Sequence, residues 1–355
     1  MASRIPVCVI TGFLGSGKTT LLNHLLQQPA LKDAAVLINE LGEIAIDHLL
    51  VREVDENVLR LATGCLCCAM RGDLVNTLRD LYAKWSRGRI PKFRRMLIET
   101  TGLADPAPVL HTLMKDPLIA ARFRLDGVIV TVDAVHGMDQ LDRQPESVKQ
   151  AAVADRLLLT KTDLAGDQVQ QLHRRLRDIN PTAPIHVVPH GRIDPTYVLD
   201  AGLYNPATKS ADVRRWLSAE SYVEVSAEKG AHGHAHGAGE HRDDHVRAFC
   251  LRWAQPVEWQ AFADALQALI DSHGRNLLRV KGLLNVVGEA APVVIHGVQH
   301  LFHPPVTLPA WPDSDRSSRL VFITRDLEDN VMSLVLRDLV PASLARNSAH
   351  NAHHS

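Results

Sequence analysis

Aromatic residues are scarce in this chain, at 5%, and cysteine is scarcer, with five in 355 residues. So small and odd a count excludes a disulfide framework and leaves metal or thiol chemistry for the cysteines that are there. An excess of charge of one sign is also missing: Lys+Arg is 39 and Asp+Glu is 40, a formal charge of -1. Nucleic-acid binders carry a basic excess, so that class is set aside. No apolar run approaches the ~18–20 residues that cross a bilayer. The short apolar start MASRIPVCVITGFLG leads into a phosphate-binding pattern rather than a cleavage site. The chain therefore reads as cytoplasmic, with no membrane or nucleic-acid partner. What is present is ordinary for a folded protein: 46% hydrophobic and 22% charged residues, with length for about two domains.

From Arg4 to about Asp200, short apolar runs alternate with amphipathic stretches. Ile5–Thr11, Ala35–Asn39, Met96–Thr100, Gly127–Asp133, Arg156–Thr160 and Ile185–Val188 read as buried strands. Helical patterns such as Lys18–Gln27, Leu74–Lys84 and Val169–Ile179 separate most of them. That alternation predicts an α/β domain over residues 1–203 with a mainly parallel sheet and functional loops at the strands' carboxyl ends. Residues 204–245 are polar and end in KGAHGHAHGAGEHRDDH, which cannot build a core and reads as a His-rich linker. Order resumes over 246–340 as a smaller α+β domain. Its expected elements are strands Val246–Trp253, Leu277–Val287, Val293–His296 and Leu320–Thr324, and helices Val257–Asp271 and Asp326–Asp338. Residues 341–355 read as a flexible tail.

The strongest chemical signal is Gly12-Phe13-Leu14-Gly15-Ser16-Gly17-Lys18-Thr19-Thr20, a G-x-x-x-x-G-K-[ST] loop between a strand and a helix. Its amides converge on phosphate oxygens, aided by the positive end of the helix dipole. Lys18 should reach the β- and γ-phosphates, and the Thr19 hydroxyl should ligate Mg²⁺. A second strand ends in Glu99-Thr100-Thr101-Gly102-Leu103-Ala104-Asp105. There Glu99 is placed to hold Mg²⁺, and the Gly102 amide to approach the γ-phosphate, so residues 100–106 form a candidate switch. After strand Arg156–Thr160, Asp163 can accept two hydrogen bonds from guanine that adenine does not offer, with the Lys161 stem over the ring. Thr160 stands where many GTPases have Asn, which is expected to weaken the tether to the base and the P-loop.

Three thiols crowd into Gly64-Cys65-Leu66-Cys67-Cys68, enough to place two thiolates on Zn²⁺, Co²⁺ or Cu⁺ but not to complete a tetrahedral site. Glu40 or Glu43, in Asn39-Glu40-Leu41-Gly42-Glu43, is the nearest further ligand by sequence. Buried packing or redox chemistry are the other readings of these cysteines. Eight of the 19 histidines fall in two patches. These are His232, His234, His236, His241 and His245, then His350, His353 and His354, and they suit weak metal buffering or a plain solvated linker. Cys8, Cys250 and His111 read as packing residues.

With these motifs the chain resembles the CobW-type metallochaperone GTPases, a SIMIBI-class P-loop family, in its YjiA-like branch. The resemblance rests on GFLGSGKTT, NELGE, GCLCC, ETTGLADP and TKTD in that order. It continues through VVPHGRID and, in the second domain, LLRVKGLL, HGVQHLF and LVFI. It implies a P-loop GTPase domain followed by a small α+β domain, His190 near the guanine, Zn²⁺ or Co²⁺ at the cysteine motif, and coupling of GTP state to metal transfer. Some relatives carry an acid just before the Asn of NELGE, where this chain has Ile38. The expected function is a GTP-hydrolysing chaperone delivering metal to a client metalloprotein, with GTP, GDP, Mg²⁺, the transition metal, a client and a homodimer as partners. No glutamine is evidently placed to orient water, so slow intrinsic turnover is expected. The competing readings are a zinc storage or sensing protein with a regulatory nucleotide site, and a P-loop ATPase or kinase with structural cysteines.

Overall fold

The computed structural model describes residues 4–39, 59–63, 70–199, 223–224 and 246–327. The chain divides into two compact units, Met1–Leu176 with Ala183–Tyr204, and Arg177–Thr182 with Asn205–Ser355.

In the first unit the chain order is β1 (Ile5–Gly12), α1 (Lys18–Leu26), β2 (Ala34–Asn39), β3 (Leu59–Thr63), α2 (Met70–Ser86) and β4 (Arg95–Glu99). It continues through α3 (Ala107–Lys115), α4 (Pro117–Ala120), β5 (Phe123–Asp133), α5 (Gly137–Arg143), α6 (Pro145–Val153), β6 (Arg156–Thr160), α7 (Thr162–Ala165), α8 (Gln168–Ile179) and β7 (Ile185–Val188). The seven strands form one sheet in the order β3-β2-β4-β1-β5-β6-β7. Every pairing in it is parallel. Such a sheet is covered on both faces, which is why its strands read as continuous apolar runs. Cys8, Ile10, Val36, Leu97, Ile129 and Leu158 pack on one face with Leu21, Leu22 and Leu25 of α1.

The register sets the site. Ile10 and Ile38 both pair with Glu99, Gly12 with Thr131, Asp133 with Thr160, and Asn39 with Thr63. The carboxyl ends of β1 to β6 therefore share one edge of the sheet. The strand β1 lies between β4 and β5, where successive connections run to opposite sides, the crevice in which α/β sheets bind ligands.

Three departures from the sequence reading concern this unit. The strand β3 was not expected, because LRLAT is short and carries a charge. The strand β5 begins at Phe123 rather than Gly127, its polar start stabilised by the Arg124–Asp126 ion pair at 3.0 Å. The helix α2 extends over Met70–Ser86, beyond the expected Leu74–Lys84.

The second unit contains β8 (Val223–Glu224), β9 (Val246–Trp253), α9 (Trp259–His273), β10 (Leu277–Leu284), β11 (Val293–Val298), β12 (Leu301–Phe302), β13 (Val306–Thr307) and β14 (Ser318–Arg325). Its sheet runs β12-β11-β10-β14-β9-β8, with β13 on β11. All pairings are antiparallel except β8 on β9. Phe249, Leu251, Trp253, Val280, Ile295, Leu320 and Phe322 line one face and pack with Phe262, Leu266 and Leu269 of α9.

The differences here have local causes. Strand β8 falls inside the stretch read as linker. Helix α9 starts at Trp259 because Val257 is tied by its backbone to Asn285 at 2.8 Å and Val287 at 3.0 Å, which also ends β10 at Leu284. Asp326 takes a positive φ of 54° and is not helical, so the expected final helix does not begin there; residues from 328 lie outside the described ones.

Candidate functional site

Gly12 ends β1 with φ 141°, and a Cβ there would collide with the Thr131 carbonyl oxygen and hydroxyl on β5. Only glycine lets the strand turn into the loop this close to its neighbour. Gly15 and Gly17 also take positive φ, and Gly17 caps α1 without a side-chain bond, leaving the first-turn amides without intrahelical acceptors. The loop is fastened from two sides. The Ser16 and Thr131 hydroxyls lie 2.7 Å apart, and the Thr160 hydroxyl donates to the Ser16 carbonyl at 2.8 Å. The P-loop tether expected to be weak at Thr160 is therefore present, made by a threonine hydroxyl to main chain. Lys18 is buried, and its ammonium donates to the Gly12 and Phe13 carbonyls at 2.9 and 3.0 Å.

The Thr19 hydroxyl donates to Glu99 Oε1 at 2.9 Å, and Glu99 is only 5% exposed. Beyond β4, Thr100 is fixed to β1: its amide donates to the Ile10 carbonyl at 3.0 Å and its hydroxyl to that of Thr11 at 2.7 Å. Gly102 lies against the P-loop, where a Cβ would stand 2.5 Å from the Leu14 nitrogen. Thr20 is exposed and its methyl lies against Gly191, so its side chain faces the turn after β7.

Lys161 takes φ 54°, and its ammonium reaches Asp133 Oδ2 at 2.7 Å. Asp133 also accepts from the Val135 amide at 2.8 Å and lies 3.1 Å from His136 Nδ1. Burial alone would raise its carboxyl, but the hydrogen bonds from Lys161, His136 and Val135, with the Lys161 charge, hold it below the usual carboxylate range. Asp163 and His190 are brought together, His190 Nδ1 standing 3.7 Å from Asp163 Oδ2.

The structure thus gathers Gly12, Gly15, Ser16, Gly17, Lys18, Thr19, Glu99 and Gly102 at one strand edge, with Lys161, Asp163 and His190 after β6 and β7. Two residues were missed in the sequence. In the sequence Asp133 is only the last residue of a buried strand, and nothing singles out Gln150. The remaining candidates, Glu40, Glu43, Cys65, Cys67 and Cys68, lie outside the described residues, as do the histidines from His232 to His245 and from His350 to His354. Among the described residues no three His, Cys, Asp or Glu side chains are grouped to hold a metal ion. Cys8 and Cys250 are buried; burial pushes the Cys8 thiol far up and the Cys250 thiol up to about 12, so neither is a ready thiolate. His111 is half-buried on α3. No helix among the described residues is long and apolar enough to cross a membrane.

Residues 6–187 match the CobW/HypB/UreG nucleotide-binding domain, and residues 246–340 match the cobalamin synthesis protein cobW C-terminal domain. The zinc chaperone YjiA of Escherichia coli is 34% identical over 319 residues, covering 90% of this chain and 93% of that protein. The zinc-regulated GTPase metalloprotein activator 1 of Saccharomyces cerevisiae is 28% identical over 366 residues, covering 94% and 83%. The crystal structure of the Zn(II)-bound YjiA GTPase from E. coli superposes with a TM-score of 0.71 at 29% identity, covering 96% of this chain and all of that one.

Proposed function

The chain belongs to the CobW family and is a GTPase, and from that premise we propose that it binds Zn²⁺ as cargo and couples GTP binding and hydrolysis to delivery of the ion to a client metalloprotein. In this reading the loop amides from Gly12 to Thr20 cradle the phosphates. Lys18 exchanges its two loop carbonyls for β- and γ-phosphate oxygens. Thr20, turned toward Gly191, contributes its amide rather than its side chain. The Lys161 stem packs over the base, Asp163 accepts from guanine, and His190 stands beside it.

The buried Glu99 carboxylate next to the Thr19 hydroxyl suits a hard divalent cation. Mg²⁺ held there would neutralise charge on the phosphates during transfer. The Gly102 amide would report the γ-phosphate.

The cargo would be held by Cys65, Cys67 and Cys68, with Glu40 or Glu43 completing the set. Co²⁺ suits the same ligand types. One observation carries the coupling. Strands β2 and β3 are neighbours whose last residues, Asn39 and Thr63, are paired, and Ile38 is paired with Glu99. Glu40 follows Asn39 directly, on the strand next to that of Glu99, and Cys65 lies two residues past Thr63, on the strand beyond. A change at the γ-phosphate is then felt where the metal segments are anchored.

The test is zinc transfer to a chromophoric chelator from the zinc-loaded protein. GTP with Mg²⁺ is expected to accelerate transfer several-fold over GDP, and Lys18→Ala to abolish the difference. Equal rates with GTP, GDP and no nucleotide would contradict the reading and leave a storage site.

A further inference from the structure

The loop that follows Glu99 is held by a residue far away in sequence. Gln150, on α6 and 1% exposed, donates from its side-chain amide to the Gly102 carbonyl at 3.2 Å and to the Ala104 carbonyl at 3.1 Å. One amide group has two N–H bonds, and both are spent on this loop. On its other side the loop is fastened to β1 through Thr100 and rests against Leu14 at Gly102. A weaker strut joins Lys149 to Asp105 at 3.6 Å, both partly exposed. The same helix leads through Ala154 and Asp155 into β6. Asp155 accepts from the Val128 amide at 3.0 Å, and β6 ends at Thr160, the residue that holds Ser16.

We propose that Gln150 is a positioning residue that holds the Gly102 loop against the P-loop in the form that receives a γ-phosphate. This rests on the reading of Gly102 as the γ-phosphate contact. The physical basis is preorganisation. With both carbonyls tied, the Gly102 peptide is confined beside Leu14 before nucleotide arrives. Without them the loop samples other positions, and affinity falls by the fraction of time it spends in the competent one. GDP does not reach the loop, so its affinity is untouched. Gln150 contacts neither phosphate nor water itself, which separates it from a glutamine that orients the attacking water.

The experiment compares affinities for GDP and for a non-hydrolysable GTP analogue with Mg²⁺, together with kcat, in the full-length protein and in Gln150→Met. The expected result is GDP affinity unchanged within about twofold. Analogue affinity and kcat should each be lower by about five- to tenfold, the worth of one or two net hydrogen bonds. Gln150→Asn keeps the amide on a shorter stem that spans only one carbonyl and should fall between. It also serves if Gln150→Met does not fold by circular dichroism. Equal loss of GDP and analogue binding, or no loss of either in a folded variant, overturns the proposal. Gly102→Ala separates the two levels. If it lowers the analogue-to-GDP preference while the Gln150 variants do not, the positioning role is wrong and the loop reading stands. If it also leaves the preference unchanged, the loop reading itself has failed.

Discussion

Asp133 illustrates how one side chain at the end of a strand sets the conformation of the next turn. Its carboxylate is buried, and it draws the Lys161 ammonium back to β5, which fixes where the Lys161 side chain runs. Because its folded pKa lies below its unfolded value, the pair is fully formed above the ordinary carboxylate pKa and is lost as pH falls through the folded one. Guanine-nucleotide affinity in Asp133→Asn should therefore be lower by roughly two- to fivefold, as for a pair whose lysine is partly exposed. That deficit should be constant from pH 7 to 5 and should narrow below about pH 4 as the native carboxylate protonates. A deficit that changes between pH 7 and 5 would assign the effect to another group. Thr160 makes a related point. The sequence comparison with asparagine-bearing GTPases suggested a loose P-loop, yet a hydroxyl at this position reaches the Ser16 carbonyl because β6 ends where the loop turns.

At the scale of elements, the β1–loop–α1 unit was legible because everything it needs is local: an apolar strand, glycines at its turns, and a lysine opening the helix. Its tightest point is Gly12 against Thr131. Gly12→Ala should destabilise the domain by about 1–3 kcal/mol, as overpacking does, and lower Tm by several degrees. Thermal unfolding checks this, and an unchanged Tm would mean that β1 and β5 can separate at little cost. Elements defined by distant partners were not legible. Strand β3 exists because β2 offers it an edge, and LRLAT alone carries too weak a pattern. Gln150 lies on a helix face whose meaning depends on a loop more than forty residues earlier in the chain, as does Asp133 on a lysine after the next strand. In the second unit, Val257 looked helical by composition, and only its bridge to Val286, just past β10, shows otherwise.

Across the first unit, one sheet edge carries the P-loop, Glu99 and the turn at Lys161–Asp163, and β2 and β3 end side by side on it at Asn39 and Thr63. In the proposed reading the nucleotide and the cargo are two ligands of one strand edge, and binding coupling is reciprocal: if GTP alters zinc affinity, zinc alters GTP affinity by the same factor. The most direct measurement is a competitive Zn²⁺ titration of the full-length protein with no nucleotide, with GDP, and with a non-hydrolysable GTP analogue plus Mg²⁺. The account predicts a several-fold difference in zinc affinity between the GDP and analogue states, mirrored in nucleotide affinity and removed in the double variant Cys67→Ser, Cys68→Ser. Tight zinc binding that is the same in all three states would contradict it.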